Sequence, residues 1–155
     1  MSTTWILVSD RARARLFSLV PGAGELEELS DFVNPLGDVR TFEGERPPST
    51  HDRIGHTSHG IEPHTTPEEK SARAFASQLA GAVEHGRVEH RFQDLVLIAP
   101  AHFLGALNTA LGPQERRCVV SEVCKDLVDA SPARIHQELP RSIQRGQGIV
   151  MDRQH

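Results

Sequence analysis

Asp10 with Arg11, His102, and Lys125 with Asp126 each follow closely on a short apolar run. In an open α/β sheet such positions fall at the carboxyl ends of strands, where ligands gather near a topological switch point. A cleft there would hold two carboxylates, two cations and a histidine. That set suits a phosphate ester or a divalent metal. His102 comes two residues after Pro100, in the first turn of an expected helix, where backbone amides favour an anion. The structural alternative is that Asp10 caps a turn, Lys125 pairs with a carboxylate and His102 is solvated. A two-metal nuclease needs several carboxylates around its ions. Asp10 and Asp126 supply two, and Glu122 sits too far back on its strand. The catalytic candidates are therefore Asp10, His102 and Asp126. Arg11 and Lys125 are binding candidates beside them. No cofactor is firmly implied, although the set admits a divalent metal.

A second group lies in the polar stretch from Asn34 to Thr66. His51, His56, His59 and His64 follow the spacing H-x4-H-x2-H-x4-H. Zinc ligands usually come in pairs on a short knuckle or a helix turn, and this spacing matches no such pattern. The alternative to a metal site is a solvated, histidine-rich loop. Arg46 and Arg53 add cations that could contact RNA or an acidic surface. Asp38, Glu43, Glu45 and Asp52 offset them. The stretch is near neutral at pH 7 and turns positive as its histidines protonate. A third group is Arg11, Arg13 and Arg15, which could grip phosphate. The alternative is that Arg13 and Arg15 cover an exposed strand with their stems on apolar neighbours. The cysteines have no sequence neighbour that would activate a nucleophile.

The elements that must position these groups can be read from periodicity. Thr4 to Val8 is a short apolar run, the pattern of a strand buried on both faces. Arg13 to Val20 and Leu26 to Val33 follow after short connections, as an antiparallel meander. Asn34 to Thr66 shows no period, and structureless stretches of this length are usually functional or mobile. Thr66-Pro67-Glu68-Glu69 carries a capping box and a proline at the first helical position. Ala72, Phe75, Ala76, Leu79, Ala80 and Val83 then repeat at helical spacing up to His85-Gly86. Asp94 to Ala99 is a buried strand and Ala101 to Leu111 a helix. Arg117 to Leu127 reads as another strand, with Cys118 and Cys124 on one face and too far apart for a disulfide. Ser131-Pro132 opens a short helix to Leu139.

Strand-helix-strand units imply right-handed crossovers and parallel pairing. The expected fold is an α/β domain with a mixed five-stranded sheet in order 3-2-1-4-5, the ribonuclease H-like arrangement. Residues 1–139 form this single domain, with the long loop at 34–66. Residues 140–155 form a weakly structured tail. A net charge of −4 excludes the overall basic footprint of a dedicated nucleic-acid binder. No apolar run approaches bilayer length. Two cysteines and no basic leader point to a soluble, cytoplasmic protein with reduced thiols.

Trp5-Ile6-Leu7-Val8-Ser9-Asp10-Arg11-Ala12-Arg13-Ala14-Arg15-Leu16-Phe17 resembles the opening of the bacterial host attachment protein family. Asp94 to Pro100 followed by Phe103-Leu104-Gly105 is similar to it too, as is Lys125-Asp126-Leu127 followed by Ser131-Pro132. The resemblance reaches to about Leu139. It implies kinship with the middle domain of archaeal and eukaryotic peptide-chain release factors and of Pelota. That in turn implies a release-factor-like domain, non-catalytic, contacting RNA, the ribosome or a protein partner through residues 34–66. Release factors carry a Gly-Gly-Gln tip on the corresponding loop, and residues 34–66 contain no glutamine. Arg145-Gly146-Gln147-Gly148 has the residues but lies in the tail. The remaining reading is a structural interaction protein that forms homo-oligomers through a sheet edge or its helices.

Overall fold

The computed structural model describes residues 2–36 and 66–144. Five strands form one sheet: β1 (Thr4–Ser9), β2 (Arg13–Leu19), β3 (Glu27–Val33), β4 (Asp94–Ala99) and β5 (Val119–Cys124). Their order is β3-β2-β1-β4-β5, as expected for the ribonuclease H-like arrangement. β1 pairs antiparallel with β2, and β2 with β3. β1 pairs in parallel with β4, and β4 with β5. Five helices complete the described chain: α1 (Pro67–Val88), α2 (Ala101–Ala110), α3 (Pro113–Cys118), α4 (Pro132–Gln137) and α5 (Arg141–Gln144).

The two faces of the sheet are covered differently. Trp5, Leu7, Leu95 and Leu97 point to one face, where they meet Phe75, Leu79 and Val83 of α1 and Phe103 and Leu107 of α2. Ile6, Val8, Val96 and Ile98 point to the other, beneath Leu127, Val128, Ile135, Leu139 and Ile143. Alternation along each strand divides the core this way, and both faces of β1 and β4 are buried. A fully buried side chain such as Leu79 contributes about 1.5–3 kcal/mol.

α1 begins as its sequence dictates. Thr66 Oγ1 accepts from the Glu69 amide at 3.0 Å, and the Glu69 carboxylate accepts from the Thr66 amide at 3.2 Å. The helix runs on past His85-Gly86 to Val88. Gly86 is needed for packing and not for an ending. A Cβ there would lie 2.2 Å from the Trp5 ring. Trp5 is stacked on Phe92 at 4.6 Å, and the Arg91 guanidinium lies 5.3 Å from the Trp5 ring centre.

One expected element is corrected. The strand read from Arg117 to Leu127 is shorter, and Cys118 ends the short helix α3. Pro113 starts that helix with its fixed φ, and Gln114, Glu115, Arg116 and Arg117 are good helix formers. The two cysteines therefore do not share a strand, and both are free thiols. Packing also reaches past Leu139, since Ile143 of α5 is buried in the second cluster.

Candidate functional site

The carboxyl ends of β1, β4 and β5 form one row. The parallel registers align Val8 with Ile98 and Ala99 with Cys124. The chain next to each pair places Asp10, Pro100 and Lys125 along the same edge. This much of the expected site is brought together by the sheet itself.

The side chains in the row are engaged with their own surroundings. Asp10 Oδ1 accepts from the Ala12 amide at 2.8 Å and the Arg13 amide at 2.9 Å. The Asp10 amide donates to the Arg13 carbonyl at 2.9 Å. Asp10 thus shapes the tight turn from β1 to β2, since a short carboxylate can replace a backbone acceptor there. Lys125 Nζ donates to Glu138 at 2.8 Å. Arg134 grips the second oxygen of Glu138 at 3.1 Å. The Lys125 hydrogen bond holds the Glu138 carboxyl below its ordinary pKa. His102 is exposed in the first turn of α2, whose N-cap Pro100 offers no side-chain cap. Asp126 is exposed. Among the described residues, no group of three or more histidines, cysteines or acids is placed to hold a metal ion.

The arginines of the third group are paired within the domain. Arg11 lies 3.9 Å from Glu68 at the start of α1. Arg13 pairs with Asp129. Arg15 binds Glu28 through two nitrogens, each at 3.1 Å. It also donates to the carbonyls of Val128 at 3.0 Å and Ala130 at 2.7 Å. Its guanidinium lies over Phe17, 5.0 Å from the ring centre. Its charge is turned to protein acceptors. Arg46, Arg53, His51, His56, His59 and His64 lie outside the described residues.

Asn34, which sequence reasoning took only as the start of the loop, is the organising residue of this edge. It is 2 % exposed. Its Nδ2 donates to the Arg11 carbonyl at 2.8 Å and to Ser71 Oγ at 3.0 Å. Its own amide donates to the Ala12 carbonyl at 2.9 Å. Its Oδ1 accepts from the Leu36 amide at 3.0 Å. One side chain therefore ties the β1–β2 turn to the first turns of α1, where residues 34–66 leave and rejoin the domain. Nearby on β1, Ser9 is wholly buried and its hydroxyl has no hydrogen-bond partner among the described residues. No local pattern marks the bonds of Asn34 to Arg11 and Ser71, which are distant in the chain.

The fold and this edge define an α/β domain with a mixed sheet and a long insertion clasped at the carboxyl end of its central strand. The chain belongs to the family described as proteins required for attachment to host cells, which it matches over residues 5–139. No curated protein matches it. Among solved structures, one described as an archaeal protein is 11% identical with a TM-score of 0.55, covering 96% of this chain and 36% of its own. An archaeal translation termination factor is 9% identical with a TM-score of 0.46, covering 92% and 36%. An Aquifex aeolicus Ppx/GppA phosphatase is 14% identical with a TM-score of 0.37, covering 79% and 35%. The first of these shows a shared fold; the other two are too distant to carry an argument. The chain spans about a third of the length of each structure it matches. No described helix is long and apolar enough to cross a membrane.

Proposed function

We propose that this chain is a binding domain without chemistry of its own, and that it contacts RNA or the ribosome through residues 34–66. The observation behind this reading is the Asn34 clasp. A buried side chain with three partners and a capping box at Thr66 fix both approaches to a long polar stretch. The stretch itself brings Arg40, Arg46, Arg53 and four histidines, which suit phosphate contacts that strengthen as pH falls. The engagement of Asp10 and Lys125 in turn and ion-pair roles supports binding over catalysis.

The test is sedimentation of lysate through a gradient. The intact chain is expected to travel with ribosomal particles. Deleting residues 54–63 should abolish this, and Asn34→Ala should weaken it. A protein found only at the top of the gradient would remove RNA and the ribosome as partners, and capture by a protein would then take their place.

A second reading, a metal-dependent phosphoesterase at Asp10, His102 and Asp126, draws on the alignment of the strand ends beside the uncapped start of α2. Asp10→Asn discriminates the two. An amide oxygen can still accept from Ala12 and Arg13, so the turn should survive while metal-dependent hydrolysis is lost. Wild-type protein inert toward RNAs and phosphate esters with Mg²⁺ or Mn²⁺ would end this reading.

A further inference from the structure

Ser9 is the last residue of β1, and its hydroxyl is wholly buried without a hydrogen-bond partner among the described residues. A buried polar group left unpaired is uncommon and calls for a reason. Alternation along the strand decides where it points. Trp5 and Leu7 face α1 and α2, so Ser9 faces them too. Ser9 pairs with Ala14 of β2 and lies beside Ala99 of β4, one step past the Val8–Ile98 pair. Both alanines belong to the core under those helices. The chain leaves Ala99 through Pro100 alone and turns straight into α2, whose Phe103 packs on the same face. The hydroxyl is therefore directed toward the start of α2, at the carboxyl end of the sheet.

That start is open. Pro100 gives no side-chain cap, and the first turn holds no acid. The first amides of a helix have no acceptor within it. α1 answers this with its capping box and Glu68 and Glu69, and α4 with the Ser131 hydroxyl. α2 brings nothing of its own. Two cations border the corner. His102 is exposed on the first turn of α2. Arg11 stands on the α1 side, its carbonyl held by Asn34 and its guanidinium no nearer to Glu68 than 3.9 Å. The adjacent acid, Asp10, has its Oδ1 turned to the Ala12 and Arg13 amides.

We infer that this corner seats a phosphate group, with Ser9 Oγ donating from below, the Ala101 and His102 amides donating from the start of α2, and Arg11 and His102 at the sides. A tetrahedral anion presents an oxygen to each of these directions, which a planar carboxylate does not. Buried Ser9 forms the floor, and exposed His102 marks the entrance. The seat would hold an ester phosphate in the phosphoesterase reading and a backbone phosphate in the RNA reading. It rests on those readings only for the class of ligand.

Titration of the isotope-labelled full chain with inorganic phosphate tests this by nuclear magnetic resonance, against chloride at equal ionic strength and with a chelator present. The Ala101 and His102 amide signals should move saturably. Ser9→Ala should weaken phosphate binding by about tenfold, the scale of one charge-assisted hydrogen bond. The same change should raise Tm, because it removes a buried hydroxyl that has no partner. Arg11→Gln should weaken binding by about threefold. A nucleoside monophosphate displaces the bound phosphate if the natural source is a small ester; an oligoribonucleotide with free hydroxyl ends displaces it if the source is RNA. Amide signals that do not move overturn the proposal. So does Ser9→Ala with a raised Tm and unchanged phosphate affinity, the result of a purely structural serine. Neither metal nor turnover enters this measurement, so its failure is separate from failure of the hydrolysis and gradient tests.

Discussion

The two faces of the sheet solve the same problem by different means. The first is covered by α1, twenty-two residues long, and by α2; its contacts are mostly apolar, with the Asn34–Ser71 hydrogen bond and the Arg87–Glu115 ion pair at its margins. The second is covered by α4 and α5, six and four residues long, and by the turn that follows β5. Helices that short cannot hold their own conformation. Arg15 and Arg13 on β2, and Lys125 with Arg134 around Glu138, fasten that cover to the sheet. The difference teaches that a short cover depends on directed bonds where a long helix relies mainly on area.

This contrast can be broken by mutation. Gly86→Ala strikes the packed face, where the new methyl group meets the Trp5 ring at an impossible distance. Overpacking of this kind should cost about 3 kcal/mol, read from urea denaturation. Arg15→Met strikes the fastened face. It keeps an apolar side chain of similar length and removes the guanidinium over Phe17 and its bonds to Glu28, Val128 and Ala130, for a loss of about 2 kcal/mol in the same assay. If Arg15→Met costs nothing, the fastening is ornamental and the second face rests on its apolar contacts. The smallest effect is a pH dependence. Arg15 holds the Glu28 carboxyl below its ordinary value of 4.5. A depressed carboxyl stabilises the fold above its unfolded pKa and loses that contribution as pH falls through the folded one. The gap between wild type and Arg15→Met should therefore narrow below about pH 4, by about 0.5 kcal/mol for so exposed a pair.

Much of the framework was legible because its signals are local. Leu95 to Ala99 is apolar without interruption, the pattern of a short strand buried on both faces, and Thr66 with Glu69 announces a helix start within four residues. The strand order followed from connection lengths. The start of β5 was not legible, since Pro113 to Cys118 is polar and too short to show a period. The strand-end row was foreseen, but the engagement of its members was only partly so. The Asp10 turn is a local bond, and a carboxylate partner for Lys125 is expected from its charge, but which carboxylate is not. The Glu138 grip on Lys125, the Arg15 bonds to Val128 and Ala130, and the Asn34 bond to Ser71 join residues far apart in the chain. No spacing in the sequence records such partners. They exist only once the sheet has brought β2 beside the turn after β5, and β3 beside α1.

The Asn34 clasp has a consequence for how this domain can change. Asn34 and the capping box at Thr66 fix both approaches to the long stretch. Closing a longer loop costs little, about 0.6 kcal/mol for each doubling of its length. Lengthening the stretch between Leu36 and Thr66 should therefore add little to the entropy of closing it. In engineering terms the clasp makes this stretch a socket, into which foreign sequence can be grafted between two anchored points.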